Sequence, residues 1–206
     1  MRPLIEITHL GLHASDMILH TQSDASYLSR PAARSVVGGI HYLGWKNDKF
    51  RINGGVMAVS TILTTVAASA AEAEYGAVFV NGQVVAWLRT VLKEMGYPQI
   101  EATLMLCDNK CAVGIANDTI KAKRSKAMDM RYHWIRDRVK QNELTVEWCR
   151  GDSNLADFFT KPLPVHEYWR VRPQLVHTPV DHLNPSVIPH MKRLYAHAHR
   201  QNDNTS

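Results

Sequence analysis

Three segments in the first third of the chain carry the apolar and β-branched residues typical of β-strands. They span residues 17–28, 35–45 and 53–63 and are joined by short polar links. Consecutive strands with short links predict an antiparallel meander. The pair Gly38–Gly39 lies inside the second segment, and glycines inside a strand indicate a β-bulge at that point.

A long amphipathic helix is predicted after the third strand. Ser69 and Glu72 have the spacing of a capping box, with the serine as N-cap and the glutamate at the third helical position. The apolar stripe that follows comprises Val78, Val85, Leu88, Leu92 and Met95. Its spacings of three, four and seven residues are those of one helix face, and Gly96 and Pro98 predict the end of the helix.

Strands and helices alternate in the region that follows. The predicted elements are strands over residues 102–107 and 144–149 and short helices over residues 112–117 and 127–141. Residues 154–160 predict the start of a last helix, which Pro162 interrupts. Three strands followed by alternating helix and strand predict an α/β fold with a mixed sheet and helices on its faces.

The two ends of the chain lack this patterning. Residues 1–13 are interpreted as a linker remnant, and residues 166–206, with scattered proline and histidine, as a loosely ordered C-terminal tail. The N-terminus has no basic segment followed by an apolar run, so we expect no signal peptide. No apolar stretch approaches the length of a membrane span. We therefore expect a soluble, intracellular protein without a membrane partner.

Composition adds two modest constraints. The 206 residues include 24 Lys+Arg and 19 Asp+Glu, and the net charge of +5 mildly favours an anionic partner such as nucleic acid. Cys107, Cys111 and Cys149 are too few for a disulfide framework. They lack the further ligands of a zinc site, so we expect them to be small apolar core residues.

Four carboxylates fall on four different predicted elements. Asp24 lies in the first strand, Glu74 near the start of the long helix, Asp108 after the fourth strand and Asp157 in the last helix. Phosphodiester hydrolysis requires an activated water and a neutralised leaving oxygen, which two divalent cations about 4 Å apart can supply. Mg²⁺ takes oxygen ligands, so this set predicts a metal site if the fold brings the four together.

Glu72 and Glu74 compete for the helical position in that set. They point about 200° apart on a helix, so one site can use only one of them. The capping box accounts for Glu72, whereas Glu74 lies on the stripe with Val78 and Val85. An unpaired carboxylate on a core-facing stripe is costly, which favours Glu74 as the metal ligand.

Five ordered motifs resemble one family. They are SDAS at 23–26, SAAEAEY at 69–75, CDNK at 107–110, RSKAMDMRYHWIRDRV at 124–139 and NLADFFTKPL at 154–163. Together they resemble the ribonuclease H domain at the end of copia-type retrotransposon polyproteins. The resemblance covers roughly residues 14–165, the predicted domain.

The resemblance implies a ribonuclease H-like fold and cleavage of the RNA strand of RNA–DNA hybrids with two Mg²⁺ or Mn²⁺ ions. It implies catalytic and metal-binding roles for Asp24, Glu74, Asp108 and Asp157. It also implies a reverse transcriptase domain of the same polyprotein as partner and a cytoplasmic retrotransposon particle as location.

The sequence departs from the pattern of that family at two points. Many ribonucleases H have a histidine in the loop before the fourth acid, but residues 150–153 contain none. His133 and His166 are alternatives that the sequence does not separate. Many copia-type relatives also have a histidine where this chain has Ala127, which argues against a catalytic role for that position.

A basic segment follows the third acid. Residues 121–140 contain eight basic and two acidic residues, a net charge of +6. Phosphate contacts made by such a segment provide affinity without sequence preference, whereas preference for a hybrid must come from its shape and from 2′-hydroxyl contacts in a wide minor groove. The predicted nucleic-acid-binding residues are Asn109, Lys121, Lys123, Arg124, Lys126 and Arg131.

Three hypotheses follow. The first is a ribonuclease H enzyme, and the second is a DNA nuclease or integrase of the same fold, because fold does not determine substrate. An acid on a helix directly after three strands favours the first. The third is a non-catalytic nucleic-acid-binding remnant, against which the four intact acids argue.

Overall fold

The computed structural model describes residues 18–45, 55–120 and 126–175. The elements are β1 (Ile18–Arg30), β2 (Arg34–Gly44), β3 (Gly55–Ile62), α1 (Ala70–Glu94), β4 (Thr103–Cys107), α2 (Lys110–Ala116), α3 (Lys126–Lys140), β5 (Leu144–Trp148), two 3₁₀ turns (Gly151–Ser153 and Leu155–Phe159) and α4 (Val165–Leu175). One compact unit ends at Pro162, and a second, which contains α4, starts at Leu163.

The first unit is built on a five-stranded mixed sheet in the order β3-β2-β1-β4-β5. β1 pairs antiparallel with β2, and β2 with β3, which confirms the meander. β4 lies parallel to both β1 and β5. This arrangement confirms the α/β fold class. Parallel strands end at the same edge of a sheet, so residues that follow β4 and those late in β1 become neighbours.

Helix α1 begins where its capping residues predict. The Ser69 hydroxyl accepts a 3.1 Å hydrogen bond from the Glu72 backbone nitrogen, while the Glu72 carboxylate accepts a 2.9 Å bond from the backbone nitrogen of Ala68. The apolar stripe is buried as far as Leu88. Met95 is 64% exposed, so its assignment to the core-facing stripe was wrong.

The glycine pair in β2 allows close packing on both faces of the sheet. A Cβ on Gly38 would stand 2.5 Å from the carbonyl oxygen of Ala156, and a Cβ on Gly39 would stand 1.9 Å from Oδ1 of Asn81. Successive strand residues face opposite sides, so α1 and the second 3₁₀ turn cover opposite faces. Strand pairing continues without a shift through both glycines, and the predicted bulge was therefore wrong.

The hydrophobic core lies between α1 and the sheet. Its main cluster includes fully buried Leu19, Tyr75, Val78, Met105 and Ile135. Cys107 and Cys149 are buried, as predicted. Cys111 is exposed, so its assignment to the core was wrong. None of the three cysteines forms a disulfide bond. In the described ranges, no helix is both long and apolar enough to cross a membrane.

The last predicted helix of the domain is not an α-helix. Asn154 caps a 3₁₀ turn over Leu155–Phe159, accepting a 3.2 Å bond from the Ala156 backbone nitrogen. Thr160, the residue after this turn, is held by β1: its carbonyl oxygen accepts a 3.1 Å hydrogen bond from the Ser26 hydroxyl. A regular α-helix cannot continue into Pro162, so Asp157 lies in a 3₁₀ turn instead of at a helix start.

Helix α4 lies in the second unit, where the sequence predicted a loosely ordered tail. It spans Val165–Leu175, and the Tyr168 backbone nitrogen donates to the Pro164 carbonyl oxygen at 2.9 Å. The rest of the predicted tail and the predicted linker over residues 1–13 lie outside the described residues. The domain boundary at residue 165 stays a prediction.

Candidate active site

The two strand-borne acids lie at the edge where β1 and β4 run side by side. Ser23 pairs with Cys107 across these parallel strands, so Asp24 and Asp108 are the next residues on each. Asp24 is 4% exposed, and its Oδ2 accepts a 2.7 Å hydrogen bond from the Thr160 hydroxyl. Asp108 follows the end of β4 and is only partly buried.

Glu74 reaches the same place from α1. It is 8% exposed and lies on the buried face of the helix, which confirms the helix face predicted for it. Its pKa is raised to about 9, first by burial and then by the charges of Asp24, Asp108 and Asp157, against a hydrogen bond from the Ala25 backbone that lowers it. Glu74 therefore shares one electrostatic environment with the three other acids.

The remaining acids influence one another in the same way. The pKa of Asp24 is raised to about 6, mainly by burial and also by Asp108 and Asp157, whereas the Thr160 hydrogen bond lowers it. Burial also raises the pKa of Asp108, with Asp157 as the next cause. Mutual repulsion of this kind requires close carboxylates. The fold therefore brings Asp24, Glu74, Asp108 and Asp157 into one electrostatic cluster, and their catalytic and metal-binding roles stay predictions.

The donor set fits hard divalent cations. Glu74, Cys107 and Asp108 each place one potential ligand atom within 4.8 Å of the others. Oε2 of Glu74 is buried without a hydrogen-bond partner, an unfavourable state that a cation would relieve. Burial raises the pKa of the Cys107 thiol well above its ordinary value. A protonated thiol is a poor ligand for Mg²⁺, so the carboxylate oxygens are the suitable donors.

Neighbouring polar groups hold the acids in place. The side-chain amide of Asn154 donates to the Ser23 carbonyl oxygen at 3.0 Å and makes a hydrogen bond that lowers the pKa of Asp108. The Trp148 indole nitrogen donates to the Asp108 carbonyl oxygen at 3.0 Å. The fourth acid, Asp157, forms a 2.5 Å ion pair with Lys161.

Sequence reasoning did not single out the supporting residues Thr160, Asn154, Trp148 and Lys161. Three of them lie within the NLADFFTKPL motif, which therefore indicated their neighbourhood but not their contacts. Thr160 is 136 positions from Asp24 along the chain. No local pattern predicts a contact at that separation.

The predicted nucleic-acid-binding residues are only partly described. Asn109 is the N-cap of α2, and its Oδ1 accepts bonds from two backbone nitrogens at 3.0 and 3.1 Å. Arg131 is half-buried and donates to the Thr65 hydroxyl at 2.9 Å, with its guanidinium 5.6 Å from the centre of the Phe79 ring. These contacts tie α3 to the rest of the unit, so Arg131 has a structural role.

The structure describes little of the other basic residues of this set. Lys121, Lys123 and Arg124 lie outside the described residues, and Lys126 is the first residue of α3. The loop that lacks a histidine forms a 3₁₀ turn, in which Arg150 pairs with Asp152 at 2.7 Å. Of the two alternative histidines, His133 is exposed on α3 and His166 belongs to the second unit.

Comparison with known proteins gives two consistent results. The Pol polyprotein of transposon TNT 1-94 from Nicotiana tabacum is 34% identical over 120 residues, which cover 58% of this chain and 9% of that protein. The Pol polyprotein of transposon RE1 from Arabidopsis thaliana is 30% identical over 151 residues, or 70% of this chain and 9% of that protein. The chain thus spans about a tenth of the length of these relatives. No protein-family model matches it.

Solved structures agree on the fold. The N-terminal RNase H domain of a Mycobacterium tuberculosis protein superposes with a TM-score of 0.52 at 15% identity, covering 70% of this chain and 91% of that one. LC11-RNase H1, isolated from compost and solved with an RNA/DNA hybrid, gives 0.51 at 12% identity, covering 69% and 93%. With its transposon relatives and this fold, the chain belongs with the ribonuclease H domains of copia-type retrotransposon polyproteins.

Proposed function

We propose that this chain is an endoribonuclease that hydrolyses the RNA strand of an RNA–DNA hybrid with two divalent cations, Mg²⁺ or Mn²⁺. The observation that carries the proposal is the convergence of four carboxylates from β1, α1, the end of β4 and the second 3₁₀ turn. A structure of the same fold, LC11-RNase H1, was solved with an RNA/DNA hybrid, which supports the substrate class.

Asp24, Glu74, Asp108 and Asp157 would hold the ions. Bound divalent cations supply an activated water and neutralise charge on the leaving oxygen. The protein holds the ligands ready: the Thr160 hydroxyl holds one oxygen of Asp24 at 2.7 Å. Burial of Glu74 keeps bulk water from competing for its oxygens. Ligands fixed in advance lower the entropic cost of assembling the site.

Asn109 is our proposed contact to the minor groove of the hybrid. Its Oδ1 is used to cap α2, so the side-chain nitrogen is the group we assign to a 2′-hydroxyl. A 2′-hydroxyl distinguishes RNA from DNA at a given position. The adjacent Asp108 places this amide beside the acids.

The first test is a cleavage assay on three substrates. We expect the protein to cut labelled RNA in a hybrid in the presence of Mg²⁺ or Mn²⁺, to leave 3′-hydroxyl and 5′-phosphate ends, and to stop when chelator is added. Equal cutting of duplex DNA would favour a DNA nuclease or integrase. No cutting of hybrid, duplex DNA or duplex RNA would favour the non-catalytic remnant.

The second test concerns the basic segment. Replacing Lys123, Arg124 and Lys126 together with alanine should weaken hybrid binding and flatten its salt dependence. Each lost phosphate contact should reduce the slope of log affinity against log salt by roughly 0.7–0.9. Turnover at saturating substrate should change much less, because these contacts bind ground state and transition state alike.

That measurement is a salt titration of hybrid binding in chelator, so that nothing is cut. Arg150→Ala is a suitable control, because it removes one exposed positive charge that is already paired with Asp152. An unchanged slope in the triple variant would show that Lys123, Arg124 and Lys126 make no phosphate contacts. The nucleic-acid path would then lie elsewhere.

We further propose the context that the relatives suggest. The chain would act beside a reverse transcriptase domain of the same polyprotein, in an intracellular, cytoplasmic retrotransposon particle. The ribonuclease H domain would span residues 14–165, with a linker before it and a tail after it.

A further inference from the structure

Lys161 lies against the fourth acid of the site. Its ammonium nitrogen is 2.5 Å from Oδ1 of Asp157, four residues earlier in the chain. The lysine side chain is 51% exposed and that of Asp157 is 30% exposed. The pair therefore lies at the mouth of the site, where solvent and ions can reach it.

The charge of Lys161 extends beyond its partner. Burial is the main influence on the pKa of both Asp24 and Asp108 and raises it, whereas Lys161 lowers both values. The same ammonium has its own pKa raised by the hydrogen bond with Asp157 first, and then by the charges of Asp157, Asp24 and Asp108. Three of the four acids thus share one lysine.

Neighbouring basic groups have other partners. Arg150 pairs with Asp152 at 2.7 Å, and the Lys110 ammonium lies 4.7 Å from the centre of the Trp148 ring. Lys161 lowers the pKa of both Asp24 and Asp108. Close carboxylates repel each other unless a cation offsets their charge, and Lys161 provides such a charge.

From this geometry we propose that Lys161 is the built-in counter-cation of the metal-free site and competes with a divalent cation for Asp157. The inference rests on the proposed function, because it assumes that the four acids bind divalent cations. An ammonium paired with Oδ1 of Asp157 repels a divalent ion at the same carboxylate. An ion that coordinates Asp157 must therefore displace the Lys161 ammonium or bind against its repulsion, so the lysine weakens the affinity of the site for that ion.

Lys161→Gln tests this competition through binding and stability, without any measurement of cleavage. Calorimetric titration of the metal-free protein with Mg²⁺ should show the weaker-binding ion bound about fivefold more tightly, corresponding to removal of one solvent-exposed ion pair. Lys161→Arg should restore the wild-type affinity. Arg150→Gln is the matched control, because it removes one exposed positive charge nearby and should change the affinity much less.

Thermal unfolding gives an independent readout. In chelator, Lys161→Gln should melt at a lower temperature than Arg150→Gln, because the acids lose their counter-charge. Saturating Mg²⁺ should remove that difference. Equal Mg²⁺ affinity in wild type and Lys161→Gln would overturn the competition alone. If neither protein binds Mg²⁺, both the competition and the proposed metal-dependent function are overturned.

Discussion

Replacing Glu74 with glutamine should abolish hydrolysis of the hybrid and at the same time stabilise the metal-free protein. The loss of activity should reach about a thousandfold or more, because a ligand to catalytic metal contributes several kcal/mol of transition-state stabilisation. Glutamine has the same shape but no charge, so the buried position beside Ala25 remains filled. We expect the same loss of activity for Asp24→Asn and Asp108→Asn.

The gain in stability follows from the raised pKa of Glu74. That pKa is about 9 in the folded protein and has an ordinary value of 4.5. Between these pH values the folded chain keeps a proton that the unfolded chain releases, so a rise in pH favours unfolding. The contribution of Glu74 to the free energy of unfolding is therefore fully present only below its ordinary pKa. This stability is lost progressively as the pH rises through the folded value. Glutamine does not ionise and removes this loss.

Thermal melts in chelator measure this effect. The melting temperature of Glu74→Gln should exceed that of wild type by an amount that grows as the pH rises from 4.5 towards about 9. Glu72→Gln is the control: its carboxylate oxygen accepts a bond from the Ala68 backbone, which a glutamine oxygen can also accept. This variant should keep its activity. An inactive Glu72→Gln together with an active Glu74→Gln would contradict the assignment of the helix face.

The second large effect is expected at Gly39, where alanine should destabilise the protein by about 3 kcal/mol. The added methyl group would stand 1.9 Å from Oδ1 of Asn81. The Asn81 side chain cannot turn away easily, because its Nδ2 donates to the Ser23 hydroxyl, the Gly38 carbonyl and the Ala77 carbonyl at 2.9–3.1 Å. The clash must therefore displace α1 or β2.

A double-mutant cycle separates this clash from other costs of the substitution. Asn81→Ala should itself destabilise the fold, since it leaves buried acceptors without donors. The variant that carries both Gly39→Ala and Asn81→Ala should lose less stability than the sum of the single losses, because the methyl then enters the space of the missing amide.

Gly55→Ala is the matched control in denaturant unfolding. The nearest atom to an added Cβ there is the end of the flexible Ile40 side chain, at 2.5 Å. Gly55→Ala should therefore lose much less stability than Gly39→Ala, although both replace a strand glycine with alanine. Additive losses in the cycle would show that Gly39 is required for another reason.

Much of the fold was predictable because its determinants are local. The apolar and β-branched segments predicted each strand of the sheet, and the cap at Ser69 predicted the start of α1. The inward direction of Glu74 followed from helical periodicity alone, which the structure confirms by its burial. Periodicity failed at Met95, because the helix ends at Glu94 and Met95 is its exposed C-cap, to which the helical repeat no longer applies.

The sequence by itself thus determined the elements, the fold class and which acids could form a site, since these depend on residues close along the chain. Only the tertiary structure decided that Gly38 and Gly39 serve close packing instead of a bulge, because Asn81 and Ala156 approach from distant segments. The same holds for Asp157, held in a 3₁₀ turn, and for Lys161, whose charge reaches Asp24 and Asp108. Such contacts join residues far apart in sequence, and packing of the whole unit selects them.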